Sequence, residues 1–286
     1  NSVTCIGANA FDGCTSLSSI TIPEGINKIE DYTFYGCPSL TSITIPNSVK
    51  HIGSWAFRDC SALSSITIPN KVTTIQEYAF NNCTSLSSIS IPESVTYLAN
   101  NAFEGTGLKH ITWHPKNYNN GVPGNSSSRS PFYYIKDSIQ SITFGENVDT
   151  IPYRMCWEMY NLKSVSLPDN LKSIEYDAFS ACKSLESIDI PNGVTYIGNY
   201  AFNECYSLPS ITLPDSLRTI EQYAFLRCTL LTSITIPEKI AILSDRAFQD
   251  SGLDTIIWTP KNYDTGGYSP FYYIKDHIKS VIFTDN

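Results

Sequence analysis

Cysteine is the residue type in this chain whose spacing most readily suggests chemistry, since thiolates bind zinc and form disulfides. Seven of the nine cysteines recur at intervals of 23 residues in two series: Cys14, Cys37, Cys60 and Cys83, then Cys182, Cys205 and Cys228. The pattern argues against a zinc site, because no C-x-x-C pair occurs and the four histidines are not spaced with the cysteines. We therefore predict buried free thiols. Disulfides between neighbouring cysteines stay open as an alternative, since stacked Cα atoms ~5 Å apart are close enough to bridge.

Sequence motifs for catalysis and cofactor binding are absent from the chain. It has no G-x-S-x-G, no H-E-x-x-H and no glycine-rich phosphate loop. His110 and His114 flank a predicted strand four residues apart, which separates them by ~13 Å and is too far for one metal ion. We therefore predict that the protein is not an enzyme and that it holds neither a metal nor a cofactor.

Two related aromatic segments carry the strongest signal for ligand binding. Residues 131–137 and 270–276 share the sequence P-F-Y-Y-I-K-D. Three consecutive aromatic side chains cannot all point inward, and exposed tyrosines suit protein interfaces and sugar stacking alike. The candidate ligand-binding residues are the tyrosines of these segments and of their flanks: Tyr118, Tyr133, Tyr134, Tyr263, Tyr272 and Tyr273. The alternative hypothesis is that both segments are structural plugs or spacers.

Internal repeats determine the elements that must position these side chains. Proline and phenylalanine recur every 23 residues together with cysteine, and residues 40–60 read L-x-x-I-x-I-P-x-x-V-x-x-I-x-x-x-A-F-x-x-C. The alternation of Ile43 and Ile45 predicts a short strand with one buried face, which Pro46 ends because proline lacks an N–H. The rest of the unit is predicted to be a return path with a helical or 3₁₀ turn near Phe57.

One such unit cannot bury its own apolar face, but stacked units bury one another. We therefore predict a solenoid of parallel coils with the repeated phenylalanines stacked in its core. Each coil is expected to begin a strand near its first repeat Leu or Ile. These positions number twelve: Leu17, Leu40, Leu63, Leu86, Leu108, Ile139, Leu162, Leu185, Leu208, Leu231, Leu253 and Ile278.

A longer period divides the chain into two homologous blocks. Trp113 and Trp258 are 145 residues apart, and the P-F-Y-Y-I-K-D segments are 139 apart. We assign the blocks to residues 1–144 and 145–286, each ending in an irregular aromatic unit, residues 113–144 and 258–283. Because the repeat continues across the junction, we predict one continuous solenoid over residues 1–286.

Composition and the predicted strand face narrow the classes of partner. The chain has 286 residues, of which 27 are acidic and 19 basic, so its net charge of −8 argues against nucleic acid. It has no run of ~18 apolar residues, so we predict no direct membrane insertion. The outward strand positions carry mainly Ser and Thr, for example Ser42 and Thr44. These hydroxyls are either filler compatible with a strand or a broad adhesive surface.

The repeat pattern of residues 40–60 resembles the leucine-rich repeats of the BspA-like class, which are bacterial and protist surface proteins. The resemblance covers nearly the whole chain and departs from it in the two irregular units. It implies a leucine-rich-repeat solenoid, in the form of a right-handed parallel β-coil of about twelve coils with short 3₁₀ or helical return segments.

The resemblance also implies a function. Characterised members of the family are adhesins, so we expect a non-enzymatic extracellular protein-binding module, either a cell-surface adhesin or an interaction scaffold. The expected partner is a host matrix or plasma protein, and the expected location is extracellular or cell-surface, with signal and anchor outside this fragment. Two alternatives stay open: glycan binding through the aromatic irregular units, and a passive surface spacer.

Overall fold

The computed structural model of the protein describes residues 3–116, 118, 129–261 and 269–284. The chain forms two compact units. Unit 1 contains the described residues up to 118 together with Arg129–Ile139, and unit 2 contains the described residues from 140 onward. Both are parallel β-solenoids with little helix, which confirms the predicted fold class.

Unit 1 has two rows of short parallel strands. Its described residues form β1 (Lys28–Ile29), β2 (Ser42–Ile43), β3 (His51–Ile52), β4 (Ser65–Ile66), β5 (Thr74–Ile75), β6 (Ser88–Ile91), β7 (Tyr97–Leu98) and β8 (His110–Trp113). The first row is the sheet β1-β3-β5-β7. In the second row β2 pairs with β4, and β6 pairs with β8. Paired residues such as Ile52 and Ile75 are one repeat apart, so the register follows the sequence period.

Unit 2 repeats this arrangement. Its described residues form β9 (Ser141–Phe144), β10 (Thr150–Ile151), β11 (Ser164–Ser166), β12 (Ser173–Ile174), β13 (Tyr196–Ile197), β14 (Thr219–Ile220), β15 (Ser233–Ile236), β16 (Ile242–Leu243), β17 (Thr255–Trp258) and β18 (Ser280–Phe283). One parallel sheet has the order β10-β12-β13-β14-β16. On the strand face, β9 pairs with β11, and β15-β17-β18 form a three-stranded parallel sheet.

The sheets β1-β3-β5-β7 and β10-β12-β13-β14-β16 consist of two-residue strands that lie in the predicted return path. The sequence does not predict strands there. A strand such as β3 has one buried side chain, Ile52, beside one exposed side chain, His51. Two residues are too few to show the alternation of apolar and polar positions that signals a strand. The sequence therefore identifies Ile52 as a core residue without identifying its backbone as extended.

The helical turn predicted near Phe57 is instead a set of tight turns stacked between coils. Trp55 and Asp59 have left-handed φ angles of 55° and 61°. The N–H groups of Trp55, Phe57 and Asp59 donate to carbonyl oxygens of the next coil, at 2.8–3.0 Å. The N–H groups of Arg58 and Cys60 instead donate within the same turn, to the carbonyl oxygens of Trp55 and Phe57, three residues earlier. Helix of the 3₁₀ type occurs, among the described residues, in the irregular units: Tyr133–Ile135 and Tyr272–Ile274.

The described residues form about ten turns of solenoid, slightly fewer than the twelve predicted. The coils that begin at Leu17, Leu185 and Leu208 have no regular strand at the predicted position on the strand face, although each has a two-residue strand in its return path. A proline explains the missing strand in the coil that begins at Leu208. Glu186, one coil earlier, donates its N–H to the carbonyl of Lys163 at 3.4 Å. Pro209 occupies the next equivalent position and has no N–H to donate, which interrupts the ladder.

The core is a stack of phenylalanines, as predicted. Phe57 and Phe80 are fully buried with ring centroids 5.3 Å apart, and so are Phe202 and Phe225. These separations are close to the ~4.8 Å spacing of neighbouring strands, because each ring lies directly above its equivalent in the preceding coil. The burial of the repeat phenylalanines is therefore confirmed.

The repeat cysteines complete this core. Cys60 and Cys83 are fully buried, and their thiols donate to the carbonyl oxygens of Phe34 and Phe57, at 3.2 and 3.1 Å. The same bond, spanning 26 residues, recurs from Cys37, Cys182, Cys205 and Cys228. Cysteine thus fills a small apolar space and gives a backbone carbonyl a second hydrogen bond, as at Phe57, whose carbonyl also accepts the N–H of Cys60 at 3.2 Å.

Candidate functional site

Each irregular unit places its aromatic segment on a short 3₁₀ helix. In unit 1 the helix is Tyr133–Ile135, preceded by Ser130, whose hydroxyl accepts the N–H of Phe132 at 3.1 Å. A 3₁₀ helix has three residues per turn, so Phe132 and Ile135 lie on the same side. Both are buried. The two tyrosines between them are therefore turned away from the core.

Unit 2 has the same arrangement. Its helix is Tyr272–Ile274, and the hydroxyl of Ser269 accepts the N–H of Phe271 at 3.2 Å. Phe271 and Ile274 are buried. The P-F-Y-Y-I-K-D sequence therefore encodes one inward and one outward face in both units.

The inward face is a structural plug. Phe132 continues the phenylalanine stack of unit 1, with its ring 6.2 Å from that of Phe103, and it meets Trp113 edge to face at 5.7 Å. In unit 2, Phe271 stacks on Phe248 at 5.8 Å and meets Trp258 edge to face at 6.1 Å. The plug hypothesis therefore fits the phenylalanines of these segments, and the ligand-contact hypothesis is left to the tyrosines.

The outward face presents a pair of perpendicular tyrosines. The rings of Tyr133 and Tyr134 are 5.4 Å apart at 87°, and those of Tyr272 and Tyr273 are 5.2 Å apart at 85°. Tyr134, Tyr272 and Tyr273 are 45%, 40% and 38% exposed, whereas Tyr133 is half-buried. We call these two groups the tyrosine pairs.

Basic side chains lie over the tyrosine pairs. In unit 1 the Arg129 guanidinium is 4.4 Å from the centre of the Tyr133 ring and donates to the Tyr134 hydroxyl at 3.2 Å. The Lys136 ammonium is 4.7 Å from the centre of the Tyr133 ring. These distances are within the range of attractive cation–π contacts.

The tyrosine pair of unit 2 has the same two kinds of partner. The Arg246 guanidinium is 4.9 Å from the Tyr273 ring centre, and the Lys275 ammonium is 4.5 Å from the Tyr272 ring centre. Hydrogen bonds to the hydroxyls of Tyr223 and Tyr273 raise the pKa of Arg246 above its ordinary value. The Arg246 guanidinium therefore stays charged over the ring at any physiological pH.

Tyr118 and Tyr263 differ from the other candidates. Tyr118 is half-buried, lies edge to face on Trp113 at 4.9 Å and donates its hydroxyl to the carbonyl of Leu98 at 3.0 Å. Burial raises the pKa of its hydroxyl well above the ordinary value. These contacts place Tyr118 on the structural side of its irregular unit. Tyr263 lies outside the described residues.

Two features of this surface escape sequence reasoning. Arg129 and Arg246 contact the tyrosine pairs, which lie outside the 23-residue repeat, and Arg246 also donates to the hydroxyl of Tyr223, one repeat earlier. A row of half-buried aromatics also runs along the tight turns, with Tyr32 stacked on Trp55 at 5.0 Å and Tyr200 on Tyr223 at 4.8 Å. The 23-residue spacing of these rings, two residues before the repeat phenylalanine, is the signal that could have revealed the row.

No described group of residues has the composition of a metal centre. Among the residues that the structure describes, no three His, Cys, Asp or Glu side chains are grouped so that they could hold a metal ion. Within the same residues, no helix has the length and apolar character needed to cross a bilayer. The tyrosine pairs, with their cations, are therefore the best candidate for a site in the described part of the chain.

A comparison of the sequence with known protein families supports the fold. The model of the BspA type leucine rich repeat region matches residues 1–121 and 150–278, in six copies. These ranges cover most of the chain and leave out residues 279–286 and residues 122–149, which contain the tyrosine pair of unit 1. No curated protein sequence matches the chain.

Several solved structures are similar to this chain. A leucine-rich repeat protein from Bacteroides ovatus has 28% identity and a TM-score of 0.61, over 94% of this chain and 69% of that one. A leucine rich cell surface protein from Faecalibacterium prausnitzii has 24% identity and a TM-score of 0.34, over 76% and 78%. The pneumococcal vaccine antigen PcpA has 20% identity and a TM-score of 0.44, over 92% and 72%.

Proposed function

The chain belongs to the BspA-type leucine-rich repeat family, and we propose on that premise that it is an extracellular protein-binding module. The family match indicates a protein-interaction or surface-repeat module, and repeat families of this kind are generally not enzymes. Our finer proposal is a cell-surface adhesin or scaffold that binds a host matrix or plasma protein through its two tyrosine pairs.

The observation that carries this proposal is the exposure of the tyrosine pairs on rigid supports. A packed phenylalanine and a buried isoleucine hold each 3₁₀ helix, so Tyr134, Tyr272 and Tyr273 expose large rings without requiring a loop to become ordered. Tyrosine offers a large amphipathic contact at low conformational-entropy cost. The Ser and Thr side chains of the strand face lack comparable anchors, because binding hot spots are enriched in Tyr, Trp and Arg.

A protein partner fits the rings better than a glycan. Sugars bind aromatic residues by stacking on the ring face. At Tyr133, Tyr272 and Tyr273 a lysine or arginine lies over the ring. The exposed edges and hydroxyl groups of such rings suit the mixed polar and apolar surface of a protein. Glycan binding is therefore the second candidate, and a passive spacer is the third.

Substitution of the tyrosine pairs tests the proposal. The variants are Tyr133→Ala/Tyr134→Ala, Tyr272→Ala/Tyr273→Ala and their combination, measured on immobilised fibronectin and fibrinogen by biolayer interferometry. Loss of one pair should weaken binding about tenfold or more, and loss of both should abolish it, because such anchors dominate interface energy. Circular dichroism and melting temperature should stay close to those of the unsubstituted protein.

A matched control comes from the regular coils. The Lys183 ammonium lies 4.7 Å from the centre of the Tyr160 ring and 5.8 Å from that of Tyr206, a similar cation–π geometry outside the irregular units. Tyr160→Ala/Tyr206→Ala should leave binding unchanged. If this control loses binding and the tyrosine-pair variants keep it, the proposal is wrong. Binding to a glycan array that only the tyrosine-pair variants lose would favour the second candidate instead.

A further inference from the structure

The two irregular units build the same cluster of four side chains. Each tyrosine pair has one lysine and one arginine within cation–π distance of its rings: Lys136 and Arg129 in unit 1, and Lys275 and Arg246 in unit 2. In both clusters the lysine lies over the first tyrosine of its pair, at 4.7 and 4.5 Å. We call these groups the tyrosine–arginine clusters.

The two arginines come from different positions of the duplicated sequence. Lys136 and Lys275 are equivalent at the 139-residue offset of the segments, so duplication alone accounts for them. The position equivalent to Arg129 at that offset is Tyr268, and the position equivalent to Arg246 at the 145-residue offset is Asn101. The two guanidinium groups that contact the tyrosine pairs therefore come from positions that are not equivalent in the duplicated sequence. Shared ancestry of the blocks does not explain this agreement, whereas a common binding requirement does.

The positive charge of the clusters stands out against the acidic chain. The net charge is −8, and several other basic side chains are paired with carboxylates, as Arg227 is with Glu204 at 2.9 Å and Arg154 with Asp177 at 3.1 Å. Arg129 and Arg246 instead contact tyrosine rings and hydroxyls. A tyrosine face gives a guanidinium an electrostatic partner without neutralising its charge.

This arrangement leaves the arginines suited to a carboxylate. A guanidinium has five N–H donors in a planar fork that matches a carboxylate in two parallel hydrogen bonds. Contact with a ring holds the fork in place, so less conformational entropy is lost when it binds. The tyrosine edges beside it supply apolar contact and hydroxyl donors. The cluster thus combines charge, direction and apolar surface, which together favour a peptide chain bearing acidic side chains.

We propose that each tyrosine–arginine cluster recognises carboxylate groups on an acidic, Asp- and Glu-rich segment of the protein partner. The proposal rests on the function proposed above and specifies the chemistry of the partner. The clusters attract this segment because their charge is opposite to its own. The rest of this protein's surface is acidic and repels the segment. Binding should therefore depend on ionic strength more strongly than a contact between neutral surfaces would.

The test uses the whole chain and a fluorescein-labelled oligoglutamate peptide, followed by fluorescence anisotropy. The key variant is Arg129→Gln/Arg246→Gln, with Arg227→Gln as the matched control because it removes an exposed arginine outside the clusters. The unsubstituted protein should bind the peptide, and its affinity should fall about tenfold or more between about 0.05 and 0.5 M salt. The double variant should lose at least about tenfold in affinity, and the control should retain it.

Three results with the peptide and with heparin would overturn the inference. The first is equal peptide affinity of the double variant and the unsubstituted protein, and the second is loss of affinity in the Arg227→Gln control. The third is binding of heparin, but not oligoglutamate, that the double variant loses, since this would identify a sulfated glycan as the partner. If the tyrosine variants lose fibronectin or fibrinogen while the arginine variants keep them at all salt concentrations, the proposed function stands and this inference fails. If the tyrosine variants keep those proteins, both fail.

Discussion

The repeat cysteine shows at residue scale how the chain couples packing to hydrogen bonding. Its thiol is small enough to sit beside the stacked phenylalanines, and it donates to the carbonyl of the repeat phenylalanine in the preceding coil, as in Cys83 to Phe57 at 3.1 Å. At Cys156 a cysteine takes the position of a repeat phenylalanine and is itself fully buried, with its carbonyl accepting the thiol of Cys182. Burial therefore accounts for seven of the nine cysteines.

Thiol labelling should separate these cysteines into two groups. Cys5 is exposed and Cys14 is half-buried, whereas the other seven cysteines are buried. Native protein treated with N-ethylmaleimide at neutral pH should therefore gain two labels by intact mass, and denatured protein should gain nine. Rapid labelling of Cys60 or Cys205 in native protein would show that the core is open.

Alkaline pH should destabilise the fold through the same thiols. Burial raises the pKa of Cys60 and of Cys228 from the ordinary 9.0 to about 12. The folded state holds these protons more tightly, so this contribution is complete below pH 9 and is lost as pH rises from about 9 towards 12. The free energy of unfolding should fall by up to about 1.4 kcal/mol per pH unit for each such thiol.

Chemical denaturation under reducing conditions at about pH 8, 9 and 10 measures this slope. The Cys60→Ala/Cys228→Ala variant should be less stable at the lowest pH and should lose stability less steeply as pH rises. A flat profile for the unsubstituted protein over this range would contradict the assignment of the buried thiols.

At the scale of elements, the sequence predicts side-chain positions better than backbone conformation. The period identifies Phe57, Cys60 and Ile52 as core residues because burial follows the side chain. It does not reveal the left-handed turn residues, since a bulky side chain such as that of Trp55 is a poor indicator of that conformation. Nor does it find the contacts of Arg129 and Arg246 with the tyrosine pairs, because those pairs lie in the irregular units, where the 23-residue period is broken.

Pro209 offers a direct test of the strand ladder. Pro209→Thr supplies an N–H where Glu186, one coil earlier, already donates to Lys163 at 3.4 Å. The new N–H should bond to the Glu186 carbonyl and raise the free energy of unfolding by about 0.5–1.5 kcal/mol. Urea denaturation measures the change. Glu186→Thr is the matched control, since it gains no new bond, and an equal gain there would mean that threonine stabilises the position by another route.

At the scale of the molecule, each coil is stabilised mainly by its neighbours. Within each unit the contacts run between successive coils, from Phe202 to Phe225 in the core and from β13 to β14 in the sheet. Solenoids of this kind behave as sums of local and nearest-neighbour terms. A single solenoid over residues 1–286 stays a prediction. If it holds, a destabilising substitution in one coil should affect other coils only through contacts between neighbouring coils.

Removal of one core ring should show this locality. Phe202 is fully buried between the rings of Phe179 and Phe225, at 5.4 and 5.3 Å. Phe202→Ala should cost ~3–5 kcal/mol, and Phe202→Leu less than half as much, because less of the cavity is left empty. Native-state hydrogen exchange should show lost protection that is greatest at Phe179 and Phe225 and decreases with each further coil. Uniform loss across unit 2 would instead indicate global cooperativity.

The central claim is that the tyrosine pairs form the contact surface, and hydroxyl-radical footprinting with mass spectrometry tests it most directly. Tyr134 and Tyr97 are both 45% exposed, but Tyr97 lies on β7 in a regular coil, so the two make a matched comparison. With fibronectin or fibrinogen bound at saturation, oxidation of Tyr134, Tyr272 and Tyr273 should fall severalfold while that of Tyr97 stays unchanged. Unchanged oxidation of all three tyrosines in the bound complex would contradict the account.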